Sequence, residues 1–165
     1  MNGKFSIIMS SKEIIKSQIK DTPYSGAANN KYSPSWVLDN SDDSPAYKLA
    51  LIEKIRTGVT KKEWKDLITN IEAAENDLKK ILPCSIGSMQ KKDIYNQETS
   101  ERIYEIARLF RLGYEVFDSP EKFKNWLFTP SKALGNKKPF DFLDSSLGFN
   151  VVENEITRIQ HNIYC

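Results

Sequence analysis

The chain has 165 residues, of which 39% are hydrophobic and 28% charged, and its formal net charge is +2. This composition is typical of an ordinary globular protein with one or two small domains. No apolar run approaches the roughly 20 residues of a membrane span, so no membrane segment is expected. The two cysteines, Cys84 and Cys165, have neither metal-ligand spacing nor the pattern of a disulfide framework, which predicts a reducing cytoplasmic location.

The charge is unevenly distributed along the chain. Residues 1–47 are balanced, residues 96–165 are slightly acidic, and only residues 48–95 carry more basic than acidic side chains. A polyanion such as DNA would therefore face the middle third of the chain, although dedicated nucleic-acid binders are usually more basic. Composition by itself does not decide for or against DNA binding.

Residues 1–43 are predicted to form an N-terminal arm followed by a linker. The isoleucines among the first twenty residues suffice for one short strand or amphipathic helix, and we interpret this part as a frayed arm. Residues 21–45 are rich in Ser, Asn, Asp, Pro and Gly, a composition typical of linkers. Their apolar island, Trp36 to Leu38, is predicted to dock on the following domain; a partner-binding segment is the alternative.

Residues 44–96 are predicted to form a helix-turn-helix-like region of four short helices. Ser44-Pro45 can start the first helix and Gly58 can end it. The second helix begins with the capping box that Thr60 and Glu63 form. Pro83 ends the third helix, and Ser85 starts the fourth. The predicted apolar positions of the four helices are Leu49, Ile52 and Ile55; Trp64, Leu67, Ile68 and Ile71; Leu78, Ile81 and Leu82; and Ile86, Met89 and Ile94.

The stretch from Gln97 to Phe117 predicts one long helix with two apolar stripes. A helix that is apolar on two sides is buried on two sides, so we expect the middle helices and the C-terminal module to share it. A dimer seam along the second stripe is the alternative. Gly113 is predicted to allow the close approach of another backbone. The first stripe contains Ile103, Ile106, Phe110, Gly113 and Phe117, and the second contains Leu109, Leu112 and Val116.

Several helix boundaries follow one another after Phe117. Ser119-Pro120 starts a helix that should end near Thr129, because the proline at 130 forces the residue before it out of the helical conformation. A second short helix ends at Gly135, and Pro139 starts a third. A final helix is predicted from about residue 150 to residue 162, with core positions at Val152, Ile156, Ile159 and Ile163.

These C-terminal residues resemble a known family. The pattern W-L-x-T-P-x-x-x-L-G over residues 126–135, P-x-x-x-L over 139–143, Gly148, and a closing helix that ends R-I-Q-H-N-I-Y-C at 158–165 are similar to the toxin-binding domain of the Xre/ParS/MbcA-type antitoxins. In that family the domain usually follows a helix-turn-helix-like region. Asn162 stands where the family commonly has Gly, and Asn is the next-best residue for a left-handed conformation.

The resemblance implies an all-α protein in which a helix-turn-helix-like region, residues 44–96, and a toxin-binding domain, residues 97–165, share the long central helix. It implies the antitoxin of a type II toxin–antitoxin system, whose C-terminal region occludes the active site of a cognate RES-type toxin that consumes NAD or transfers ADP-ribose. It further implies a homodimer that represses its own operon by binding operator DNA. The alternative is a stand-alone helix-turn-helix regulator whose C-terminal module mediates dimerisation.

The fourth short helix supplies the candidate DNA contacts. Hydroxyl and lysine side chains suit phosphates, and a glutamine suits the edge of adenine. An ordinary solvated helix is the alternative, because Gly87 weakens the helix and no arginine is available to bind guanine. The candidate DNA-binding residues are Ser85, Ser88, Gln90, Lys91 and Lys92.

The candidate toxin contacts lie in the loop before Pro139 and in the C-terminal tail. The resemblance also points to Trp126, Leu127, Leu134 and Gly135, but we interpret Trp126, Leu127 and Leu134 as core residues. An aromatic residue and a charged terminus beyond the end of a helix have little packing reason to be there, which favours a binding role for the tail. The candidate residues are Lys132, Asn136, Lys137, Lys138, His161, Ile163, Tyr164 and Cys165.

No catalytic, metal or cofactor site is predicted. The chain has a single histidine, His161, and lacks G-x-S-x-G, H-E-x-x-H, C-x-x-C and phosphate-binding glycine loops. Cys165 has no recognisable base or orienting group that would make it a nucleophile. The sequence therefore predicts a protein that binds other molecules and is not an enzyme.

Overall fold

The computed structural model describes residues 44–161, which form seven α-helices joined by short turns. The prediction of an all-α fold is therefore confirmed, while the predicted arm and linker at 1–43 lie outside the described residues. Within 44–161, no helix is long and apolar enough to cross a membrane. The helices are α1 (Pro45–Thr57), α2 (Lys61–Asn70), α3 (Glu75–Leu78), α4 (Ile86–Lys91), α5 (Gln97–Phe117), α6 (Pro120–Phe128) and α7 (Ser146–Gln160). Three 3₁₀ turns cover Lys79–Ile81, Lys132–Leu134 and Pro139–Phe142.

Polar side chains start the helices at the predicted positions. The Ser44 hydroxyl accepts a hydrogen bond from the Tyr47 N–H at the start of α1. Thr60 and Glu63 form the reciprocal capping box of α2. At the start of α6, Ser119 accepts from the N–H of Lys122. Each cap of this kind stabilises a helix by about 1 kcal/mol, because it satisfies an N–H that has no partner within the helix.

Two glycines end helical segments with positive φ angles. Gly58 follows α1 with φ 97°, and Gly135 follows the 132–134 turn with φ 65°. A side chain at position 58 would also collide with the Tyr95 carbonyl group and with the Ile94 side chain. Position 58 therefore requires glycine, and position 135 favours it; both glycines end helical segments as the sequence predicted.

Helix α5 is buried on two sides and is shared, as predicted. It packs against α1, α6 and α7. From the second stripe, Leu109 is fully buried, and Leu112 and Val116 are partly buried against the same core. The second stripe therefore packs within the chain. Gly113 does allow a close approach, but its neighbour is the ring of Phe123 and not a backbone, so that detail of the prediction is wrong.

The last helix begins at Ser146, whereas the sequence predicted a start near residue 150. The Ser145 hydroxyl caps it by accepting from the Gly148 N–H at 3.2 Å. Gly148 faces the backbone of Phe142 so closely that a Cβ atom would overlap the Phe142 carbonyl group. Glycine disfavours helices in general, but here its missing side chain allows α7 to pack on the preceding turn.

The predicted apolar face of α1 and the predicted inward position of Ile94 are wrong, whereas Met89 is buried as predicted. On α1, Leu49 and Ile52 are exposed, at 64% and 42%, and Ile55 is only half-buried. After α4 the chain becomes extended, so successive side chains alternate. Consequently Tyr95 is buried, and Ile94, which was predicted to point inward, is 56% exposed. A backbone hydrogen bond from the N–H of Tyr95 fixes which side chains of this extended segment point inward.

Candidate functional site

The candidate DNA-binding residues lie on and around α4, which has only six residues. Gln90, Lys91 and Lys92 are exposed, but Lys92 already lies beyond the helix in an extended conformation. The hydroxyl of Ser85 accepts from the N–H of Ser88 at 3.2 Å and thereby caps the helix. The structure thus presents one amide and two ammonium groups at the C-terminal end of α4, while the two serines form a local contact.

Two contacts fix α4 in its place. The buried side chain of Met89 belongs to the core. The ammonium group of Lys61 on α2 donates to the carbonyl oxygen of Gln90 at 2.9 Å. The end of α4 that carries Lys91 is therefore held by the neighbouring helix.

The candidate toxin contacts before Pro139 share one tight loop. The N–H of Ser131 donates to the Lys137 carbonyl oxygen at 3.0 Å, and the N–H of Asn136 donates to the Ser131 carbonyl oxygen at 2.8 Å. Asn136 adopts a left-handed conformation, with φ 60°. The loop thereby turns its polar side chains outward, and Lys132, Asn136, Lys137 and Lys138 are all exposed.

The remaining candidate toxin contacts follow α7. His161 is exposed directly after the helix, whereas Ile163, Tyr164 and Cys165 lie outside the described residues. Two hydrogen bonds from the guanidinium group of Arg108 on α5 to the Glu153 carboxylate, at 2.9 and 2.6 Å, hold α7 in position. Paired bonds of this kind fix orientation as well as distance.

An open cleft of about 460 Å³ lies on α6 and was not predicted from the sequence. Phe117 and Trp126 contribute adjacent rings, whose centroids are 5.3 Å apart. The interpretation as core residues is confirmed for the fully buried Leu127. It holds only in part for Trp126, which is half-buried against the core, and for the half-buried Leu134. The cleft is lined by Phe117, Lys122, Asn125, Trp126, Thr129, Pro130 and Ser131.

Several shifted pKa values occur at structural contacts of residues 44–96. Burial would raise the pKa of Glu63, but hydrogen bonds from Lys54 and Thr60 outweigh burial and hold the pKa below its usual 4.5. Burial also raises the pKa of Tyr95, with smaller effects of nearby acidic groups. Within residues 44–161, no group of three His, Cys, Asp or Glu side chains could hold a metal ion.

The region with the cleft, the basic loop and α7 matches a family model. Residues 112–161 match the antitoxin Xre/MbcA/ParS C-terminal toxin-binding domain. This part of the chain is therefore similar to the toxin-binding domain of the antitoxins of toxin–antitoxin systems. A Sphingobium sp. (strain YBL2) protein described as "Prs ADP-ribosylating antitoxin" is 28% identical over 134 residues, which cover 73% of this chain and 82% of that protein.

Proposed function

We propose that this chain is the antitoxin of a type II system and neutralises a RES-type toxin in the cytoplasm. Its C-terminal region occludes the active site of an enzyme that consumes NAD or transfers ADP-ribose, and the antitoxin itself catalyses no reaction. The observation that carries the proposal is the match of residues 112–161 to the toxin-binding domain. The description of the Sphingobium relative, which names ADP-ribosylation, supports the class of the partner.

The geometry of α7 supports steric occlusion as the mechanism. A blocking segment must be presented on a rigid support, because otherwise ordering the segment would oppose binding. Arg108 clamps Glu153 with two hydrogen bonds, and the buried Val152 and Ile156 fix the inner face of α7. Residues after His161 therefore continue from a support whose position is set by α5.

Deleting residues 160–165 tests the occlusion mechanism. The probe is the protein encoded by the open reading frame adjacent to the antitoxin gene, co-expressed with the full chain or with the truncated chain. We expect the full chain to restore growth and to co-purify with that protein, and the truncated chain to leave growth inhibited. The circular dichroism spectrum should be unchanged, since the deleted residues lie at or beyond the end of α7. Rescue of growth by the truncated chain would contradict the mechanism.

We also propose that the chain represses its own operon as a homodimer that binds operator DNA through α4. The exposed Gln90, Lys91 and Lys92 support this assignment, because amide and ammonium groups suit base edges and phosphates. The alternative is a stand-alone regulator whose C-terminal module mediates dimerisation. Such a regulator would bind operator DNA without forming a complex with the adjacent protein.

Replacing Lys91 and Lys92 together with Ala tests DNA binding. We expect weaker binding to the promoter and a salt dependence that is flatter by roughly 1 unit of slope for each lost phosphate contact. The measurement is a gel-shift titration at several salt concentrations. The matched control replaces Lys137 and Lys138 with Ala, which removes the same charge from an exposed loop outside α4. Equal affinities of the wild-type chain and the α4 variant for the promoter would contradict the proposal that α4 binds DNA.

A further inference from the structure

Among the described residues, three large apolar side chains stay exposed within the toxin-binding domain. They are Phe128 at 38%, Leu147 at 74% and Val151 at 36% exposure. Leu147 and Val151 are four residues apart on α7, so their side chains lie on the same face of the helix, one turn apart. We call this pair the α7 ridge.

The fold does not require the α7 ridge for its core. The opposite side of α7 already supplies Phe149, Val152 and Ile156, all of which are fully buried. Single exposed leucines are normal on protein surfaces. A pair one turn apart on a fixed helix instead forms a continuous apolar surface, which an apolar surface of a partner can cover.

The α7 ridge is held rigidly. Gly148, between its two residues, packs directly on the backbone of Phe142. Arg102 on α5 donates to the Leu143 carbonyl oxygen at 3.2 Å, and its guanidinium group lies over the ring of Phe149 at 5.1 Å. The backbone that carries the ridge is therefore fixed before any partner binds, which reduces the entropy that binding would cost.

We propose that the α7 ridge is the anchoring surface for the cognate toxin, and that the toxin covers it with an apolar surface of its own. This inference rests on the proposed function. The ridge lies inside residues 112–161, the part that matches the toxin-binding domain, whereas the exposed Leu49 on α1 lies outside it. His161 lies at the other end of α7, about 20 Å from Leu147 at the helical rise per residue.

The two ends of α7 then have separate functions in binding and in inhibition. The ridge supplies most of the affinity for the toxin, and the segment after His161 blocks the active site. Apolar side chains that become fully covered at the centre of an interface contribute much of its binding energy. A blocking segment needs only to occupy space once the anchor is in place. Binding and inhibition should therefore be separable by mutation.

The test replaces Leu147 and Val151 together with Lys in the full chain. The affinity for the purified protein of the adjacent open reading frame is measured by calorimetry, and inhibition of its NAD-consuming activity is measured in parallel. We expect the dissociation constant to rise at least about tenfold, with inhibition restored at saturating antitoxin. Deleting residues 160–165 should give the opposite result, with binding largely retained and inhibition lost.

Leu49→Lys is the matched control, because Leu49 is similarly exposed but lies outside the toxin-binding domain. It should leave the affinity unchanged. An unaltered dissociation constant for the ridge variant would overturn the inference alone, whereas failure of the wild-type chain to bind would overturn the proposed function and the inference with it. A change in self-association of the ridge variant, measured by sedimentation without toxin, would assign the ridge to a second copy and also overturn the inference.

Discussion

The two halves of the described chain, residues 44–96 and 97–161, are held together in different ways. In the first half, α1 has no buried residue and α4 has only six residues. Polar contacts between neighbouring segments are prominent there, among them Lys54 with Glu63 at 2.8 Å and Lys65 with Glu75 at 2.7 Å. In the second half, the long helix α5 buries residues along most of its length.

Aromatic packing dominates the second half. Phe123 on α6 lies at the centre of a cluster whose ring centroids are 5.4 to 6.0 Å from its own. Several of the rings meet edge to face, which adds a favourable electrostatic contribution to their burial. The cluster contains Phe110, Tyr114, Phe117, Phe123 and Trp126.

The difference in packing between the two halves bears on the proposed DNA-binding and toxin-binding functions. The aromatic core between α5 and α6 keeps this part of the proposed toxin-binding region in one shape, because close-packed cores resist deformation. Polar contacts between short helices depend on pH and salt, so we expect the first half, which lacks the aromatic cluster, to respond more readily to solution conditions. Mutations can test whether the two halves differ in this way.

Removing the central ring should have the largest effect. Phe123→Ala deletes a fully buried side chain, and we expect the free energy of unfolding to fall by about 3–5 kcal/mol. Urea denaturation followed by circular dichroism measures the loss. Phe128→Ala is the matched control, because Phe128 belongs to the same helix but is 38% exposed, and it should cost much less. Similar losses for the two variants would show that the aromatic cluster does not dominate the second half.

Adding a methyl group where α7 packs on the 139–142 turn should have the next largest effect on the free energy of unfolding. Gly148→Ala places a methyl group on the Phe142 carbonyl group, so α7 or the 139–142 turn must shift, at a cost of about 1–3 kcal/mol.

The control for this change is Gly87→Ala in α4, where a Cβ atom would meet nothing within 4 Å. Alanine favours helices over glycine, so this variant should gain about 0.5–1 kcal/mol. Thermal unfolding of the two variants should therefore shift in opposite directions. A shift in the same direction would contradict the close packing of Gly148.

The smallest expected effect is electrostatic and depends on pH. Glu63→Gln weakens the capping box and the contact with Lys54, and it should cost about 1 kcal/mol at pH 7. The pKa of Glu63 lies below 4.5 in the folded chain, so the carboxylate contributes stability above the unfolded pKa. This contribution is lost as the pH falls through the folded pKa.

Denaturation of the wild-type chain and the Glu63→Gln variant between pH 3 and pH 7 measures this effect, and their difference should shrink below about pH 4.5. Glu53→Gln is the control, because the ion pair of Glu53 with Arg56 is largely exposed and should contribute little. A constant difference over the whole pH range would show that the Glu63 carboxylate is not the stabilising group.

The candidate site was predicted only in part from the sequence. The exposed loop at Lys132 and at 136–138 follows from polar residues placed next to Gly135 and Pro139. The cleft beside Trp126 and the α7 ridge were not predicted. The same aromatic and aliphatic residues are typical of a core, and which part of each remains uncovered depends on neighbours distant in the chain.

The sequence by itself determined where most helices begin and end. The caps at Thr60 and Ser119 and the left-handed Gly135 act on groups within about three residues, so they can be recognised locally. Only the tertiary structure decided which faces are buried, as the exposed Ile94 and the helical Gly148 illustrate. Burial depends on which segment packs opposite, and that segment is brought there by the rest of the fold.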